Sequence, residues 1–97
     1  MSKTVHKFKL AYFRSTRQEF ELSNMAKVVH VECQHPGANE HYVTFWAEIP
    51  EDPWPAKRTF AVFPTGGEIP DSAEYVGTAI DDFGLVMHLY EIKEETP

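Results

Sequence analysis

The densest set of reactive side chains in this sequence is Cys33-Gln34-His35, followed six residues later by His41. A thiolate and two imidazoles are soft-metal ligands, and a zinc site needs three or four of them in tetrahedral array. The spacing fits no standard zinc pattern and no C-x-x-C accompanies it, so the reading is a surface loop with no metal. Cys33 is also the only thiol, and with five histidines it makes a nucleophile and base pair conceivable. Covalent catalysis needs a nucleophile beside a base that a third group orients. No local signature such as G-x-S-x-G marks one. Pro64-Thr65-Gly66-Gly67 is a third candidate, because successive N–H groups in a glycine-rich turn converge on an anion. It lacks both the P-loop spacing and G-x-G-x-x-G, so it reads as a tight turn. The acidic residues are spread over loops and outward strand positions, and no catalytic pair stands out among them.

Charge is unevenly distributed. The 97-residue chain carries a net −6, but residues 1–30 hold six Lys or Arg against two Glu, and residues 31–97 hold three against thirteen Asp or Glu. An acidic whole argues against general nucleic-acid binding, which relies on cations at phosphates, and leaves room only for a local basic face. One cysteine excludes an internal disulfide and favours a reducing compartment. The opening MSKTVHKFKL has no apolar run of signal-peptide length, and nothing approaches the roughly 20 apolar residues of a membrane span. The expected location is the cytoplasm, without a membrane partner.

Seven Phe, four Tyr and two Trp within a 42% hydrophobic composition supply the core of one small domain. Lys3 to Tyr12 alternates, with His6, Phe8, Leu10 and Tyr12 on one face and Val5, Lys7, Lys9 and Ala11 on the other, which predicts a half-buried strand. A turn around Arg14 to Thr16 leads to Gln18 to Leu22, with Phe20 and Leu22 inward. These two segments are expected to pair as a hairpin, setting lysines opposite Glu19 and Glu21. Lys27 to Cys33 predicts a strand with Val29, Val31 and Cys33 on one face. Pro36-Gly37 and Asn39 reverse the chain. His41 to Ile49 carries aromatics on both faces, which predicts a central strand covered on both sides. Pro50, Pro53 and Pro55 force a loop in which Trp54 is expected to fold back over the core. Arg58 to Phe63, Tyr75 to Ile80 with Gly77 inside it, and Leu85 to Ile92 complete about seven strands, with at most one helical turn at Pro70 to Glu74. The fold class is all-β, a small two-sheet sandwich or partly open barrel over residues 1–92, with 93–97 a flexible tail. Exposed edges in so small a domain predict a homo-oligomer.

The segment Arg58-Thr59-Phe60, Val62-Phe63, Thr65-Gly66, Ile69-Pro70, Tyr75-Val76-Gly77-Thr78 and Leu85-Val86-Met87-His88-Leu89-Tyr90-Glu91 resembles a family of small uncharacterised proteins encoded mainly in bacteriophages and prophages. The chain departs from that pattern at Pro64, where the family has glycine. The resemblance implies an all-β fold and a phage-type origin, and it implies no activity or cofactor. Small phage accessory proteins act mostly by binding, so the expected function is non-catalytic and directed at a host defence process. Two partners fit: a host protein, or an anionic nucleotide-like signal held by converging Lys3, Lys7, Lys9, Arg14, Arg17 or Arg58 with Trp54 or Tyr75 stacked on a base. A structural role in a virion is the alternative. Within the matched segment, Arg58, Thr65, Gly66, Tyr75, Thr78 and His88 are the candidate binding residues.

Overall fold

A computed structural model of the chain describes residues 2–11, 17–37, 40–51, 54 and 56–93. It contains seven strands: β1 (Lys3–Ala11), β2 (Arg17–Glu21), β3 (Lys27–Gly37), β4 (Glu40–Pro50), β5 (Lys57–Pro64), β6 (Ala73–Ile80) and β7 (Val86–Ile92). No helix occurs among the described residues, and Pro70 to Ala73 is closed as a turn by the Ala73 N–H on the Pro70 carbonyl at 3.0 Å. The strands form two antiparallel sheets, ordered β1-β4-β3 and β2-β5-β7-β6. The aromatic strand β4 is central in its sheet, as its two-faced pattern predicts, but the other sheet covers only its inner face, and Tyr42 and Trp46 on the outer face are partly exposed.

The expected hairpin between the first two strands does not form. β1 pairs with β4, β2 pairs with β5, and the two strands lie in opposite sheets. The reason is the core. Phe8 of β1 stacks on Phe45 of β4 at 5.1 Å, and Phe20 of β2 meets both edge-on at 5.6 Å. Phe60 of β5 completes the group at 4.7 Å from Phe45. Two sheets stacked face to face bury Phe45 and Phe60 fully and Phe8 and Phe20 in part, whereas a hairpin would put Phe8 and Phe20 side by side on one sheet. The expected turn at Arg14 to Thr16, Tyr12, and the turn residue Asn39 lie outside the described residues.

Leu10, Val43, Val62 and Leu89 surround the phenylalanines and are almost fully buried. Cys33, partly buried, packs against this cluster beside Val31. Two further expectations are corrected here. A register shift between Val28 and His30 turns Val29 outward and lets Val28 share the inner face with Val31 and Cys33, because a bulge places two residues opposite one. Trp54 is 79% exposed and does not cover the core. Its neighbours at 52, 53 and 55 lie outside the described residues.

On one side the sheets approach through β3 and β6 without a shared hydrogen-bonded ladder, so the barrel is not closed. Gly77 makes this approach possible. A Cβ there would lie 2.6 Å from Val31 Cγ2, and Gly77 also sits at the register shift that bends β6.

Candidate functional site

Alternation along the four-stranded sheet decides what each candidate residue faces. On β7, Met87, Leu89 and Glu91 point into the sandwich, while His88 and Tyr90 point out. Register then places Phe63 and Thr78 beside His88, and Ala61 and Tyr75 beside Tyr90. Residues separated by up to 29 positions therefore meet on one outer face.

His88 is the centre of this face. Its Nε2 lies 3.0 Å from Thr65 Oγ1 and its Nδ1 3.1 Å from Thr78 Oγ1, and Thr78 Oγ1 lies 2.6 Å from the Tyr75 hydroxyl. Each hydroxyl can donate or accept, so the two on either side hold the ring's orientation whichever nitrogen carries the proton. Thr65 is presented by a turn in which Gly67 N–H donates to the Pro64 carbonyl at 3.0 Å, with Gly66 at φ 88°. That positive φ at the third position is what a type II turn requires. Closing the turn uses the Gly67 N–H, so this glycine pair positions Thr65 instead of offering a pair of free donors.

Beside the polar chain runs an aromatic row. Tyr90 makes edge contacts with Phe63 at 5.6 Å and with Tyr75 at 5.5 Å. Tyr75 is 57% exposed, and Ile80, Leu85 and Phe83 extend the apolar surface to the tip of the β6-β7 hairpin. The structure thus brings five candidate residues, Thr65, Gly66, Tyr75, Thr78 and His88, into one cluster. Phe63 and Tyr90, which sequence reading did not single out, belong to it. Their signal was the outward phase of β5 and β7, visible only once the pairing of the strands is known.

Arg58 does not join the cluster. It projects from the opposite face of the same sheet into the end of the sandwich. Its Nε and Nη2 donate to the two oxygens of Glu91 at 2.8 and 2.9 Å, and Nη1 donates to the Ser23 and Ala26 carbonyls at 2.8 and 3.0 Å. The side chains are only 12% and 8% exposed. Burial pushes the Glu91 carboxyl up, but the hydrogen bonds and charge of Arg58, helped by Lys93 at 3.3 Å, outweigh it and hold the group below the usual carboxylate range. This is a structural clamp that ties the β2-β3 connection to β5 and β7.

The chemistry available on the outer face is hydrogen bonding and aromatic contact. A hydroxyl beside an imidazole has the outline of a nucleophile and base, but a second hydroxyl, and not a carboxylate, holds the far nitrogen, so no anion is there to stabilise an imidazolium. Among the described residues no group of three His, Cys, Asp or Glu is placed to hold a metal ion. The side chain of His35 lies outside the described residues, while Cys33 is turned toward the core.

Fold and surface together define a two-sheet antiparallel β-sandwich that presents an uncovered aromatic and histidine face. The chain belongs to a family described as a domain of unknown function, DUF7352, whose model matches residues 1–97. No curated protein and no solved structure matches the chain.

Proposed function

We propose that the chain is a non-catalytic binding protein that engages a protein partner through the outer face of its four-stranded sheet. The observation that carries this reading is the row Phe63, Tyr90 and Tyr75 beside the hydrogen-bonded chain Thr65, His88, Thr78 and Tyr75. Aromatic rings held rigidly by one another, with hydroxyls and an imidazole at their margin, supply contact area at small entropic cost, which is the character of interface hot spots. A protein partner fits this face better than an anionic small molecule. Arg58, the one cation among the candidate residues, is turned inward and occupied by Glu91. The resemblance to phage and prophage proteins supports a host protein as the partner, within a defence process in the bacterial cytoplasm. The single cysteine is compatible with that reducing compartment.

A second reading, assembly with copies of itself as a structural component, is favoured by the apolar tip of the β6-β7 hairpin, where Phe83 is 78% exposed. Capture from bacterial lysate combined with native mass spectrometry separates the two. The leading reading expects a heterocomplex that forms with the wild-type chain and is lost in Tyr75→Ser and His88→Ala. A homo-oligomer that dissociates in Phe83→Ser, with no captured protein, supports assembly instead. Turnover of a substrate that disappears in His88→Ala overturns both.

A further inference from the structure

The outer face of the three-stranded sheet has a different character. On β4, Tyr42 and Trp46 point outward, and each is accompanied by a lysine from the edge strand β1. Lys9 Nζ lies 4.9 Å from the Tyr42 ring centre and Lys7 Nζ 5.8 Å from that of Trp46. The His30 ring flanks Trp46 from β3 at 5.4 Å. Because β1 pairs with β4 and not with β2, Lys7 and Lys9 stand opposite Trp46 and Thr44, with no carboxylate facing either across the ladder. Among the described acids on this face, Glu48 lies 3.9 Å from Lys3, and Glu32 neighbours His30 and Gln34 on β3. Two lysines from the basic N-terminal third of an acidic chain thereby stand beside two partly exposed aromatic rings.

We infer that this face binds single-stranded nucleic acid, with bases against Tyr42 and Trp46 and backbone phosphates on Lys9 and Lys7. Charge complementarity is local and direct: two unopposed ammonium groups lie along one side of the rings. The unit of ring plus cation occurs twice, four residues apart on one strand, or about 13 Å. A polymer that repeats base plus phosphate uses both units, whereas a mononucleotide uses one. Duplex fits less well, since its bases are stacked on each other and their faces are not open to a ring. On binding, a base takes the place of the ammonium above each ring and the lysine swings to the phosphate. Base–aromatic stacking is stronger than an exposed cation–π contact, so the exchange favours the complex. This inference is independent of the protein-binding face on the other sheet.

The test uses the full chain carrying Trp54→Phe, so that Trp46 is the sole tryptophan reporter. Trp46 quenching, and for the variants without Trp46 the anisotropy of a fluorescein-labelled probe, are followed with a twelve-nucleotide oligo-dT, the matching oligo-U, duplex of the same length, and thymidine monophosphate. Saturable binding of the single strands is expected, at least about tenfold tighter than duplex or mononucleotide, with log K falling against log salt at a slope of about −1.4 for two phosphates. Trp46→Ala should weaken binding about 5- to 100-fold, and Trp46→Phe, which preserves packing, should retain most of it. Lys7→Glu with Lys9→Glu should abolish it, and Lys57→Glu on the other sheet should leave it unchanged. Lysines that serve only to keep the β1 edge from pairing would give no saturable binding at low salt. That result, equal binding of the mononucleotide, or insensitivity to the Lys7 and Lys9 reversals, overturns the inference.

Discussion

Removing Glu91 should destabilise this protein more than removing Glu91 and Arg58 together. In Glu91→Leu the guanidinium keeps its two carbonyl partners but loses both carboxylate acceptors at 2.8 and 2.9 Å, in a site where the Arg58 side chain is 12% exposed. Leaving one member of such a buried pair unpaired costs about 3–5 kcal/mol, against a total stability of roughly 5–15 kcal/mol for a domain of this size. In the double variant Arg58→Met, Glu91→Leu no charge is stranded, and the apolar replacements pack over Phe60, whose ring centre lies 5.6 Å from the guanidinium carbon. Its cost should fall below that of Glu91→Leu alone. Urea denaturation followed by tryptophan fluorescence reads both, with the midpoint of the single variant lowered by at least about 1 M. The pH dependence has a definite sign. The Glu91 carboxyl is held below its ordinary value of 4.5, so its contribution is present above that pH and is lost as the pH falls through the lower folded value. The wild type should therefore lose stability on acidification below about 4.5, and Glu91→Leu should lose less over the same interval. A Glu91→Leu variant costing under about 1 kcal/mol, or a double variant costing as much as Glu91→Leu or more, would refute the description of this pair as a buried clamp.

Two further outcomes probe the packing. Gly77→Ala should destabilise by about 1–3 kcal/mol, because the added methyl meets Val31 Cγ2 at 2.6 Å, and Val31→Ala in the same chain should recover part of that loss; thermal denaturation of the wild type and both variants is the measurement. Phe45→Ala should cost about 3–5 kcal/mol, since its fully buried ring touches Phe8, Phe20 and Phe60 across both sheets, and loss of near-ultraviolet circular dichroism should accompany the shift in midpoint.

The candidate site was half legible for a definable reason. Five residues from one stretch of sequence meet on one face because β5, β6 and β7 are neighbours in one sheet, so local grouping and spatial grouping coincide. Arg58, in the same stretch, departs because a strand alternates its faces, and its position two residues before Phe60 gives it the inward phase. Its partner Glu91 is 33 residues away, and nothing near Arg58 in the chain points to it. Likewise, the lysines of β1 were visible as one outward set, but the identity of the strand opposite them was not.

Alternation of apolar and polar residues, together with proline and glycine punctuation, was enough to determine seven strands, their approximate bounds and the central place of β4. These are local properties, set by side-chain period and backbone freedom within a few residues. Strand partners are not local. Only the tertiary structure decided that β1 and β2 part into different sheets, because four phenylalanines from four strands bury one another best between two layers. The same choice turned Lys7 and Lys9 toward aromatic rings instead of toward Glu19 and Glu21, left Trp54 in solvent, and shifted the phase of β3 at a bulge. Each of these depends on contacts between residues far apart in the chain, whose energies are not written in any one segment.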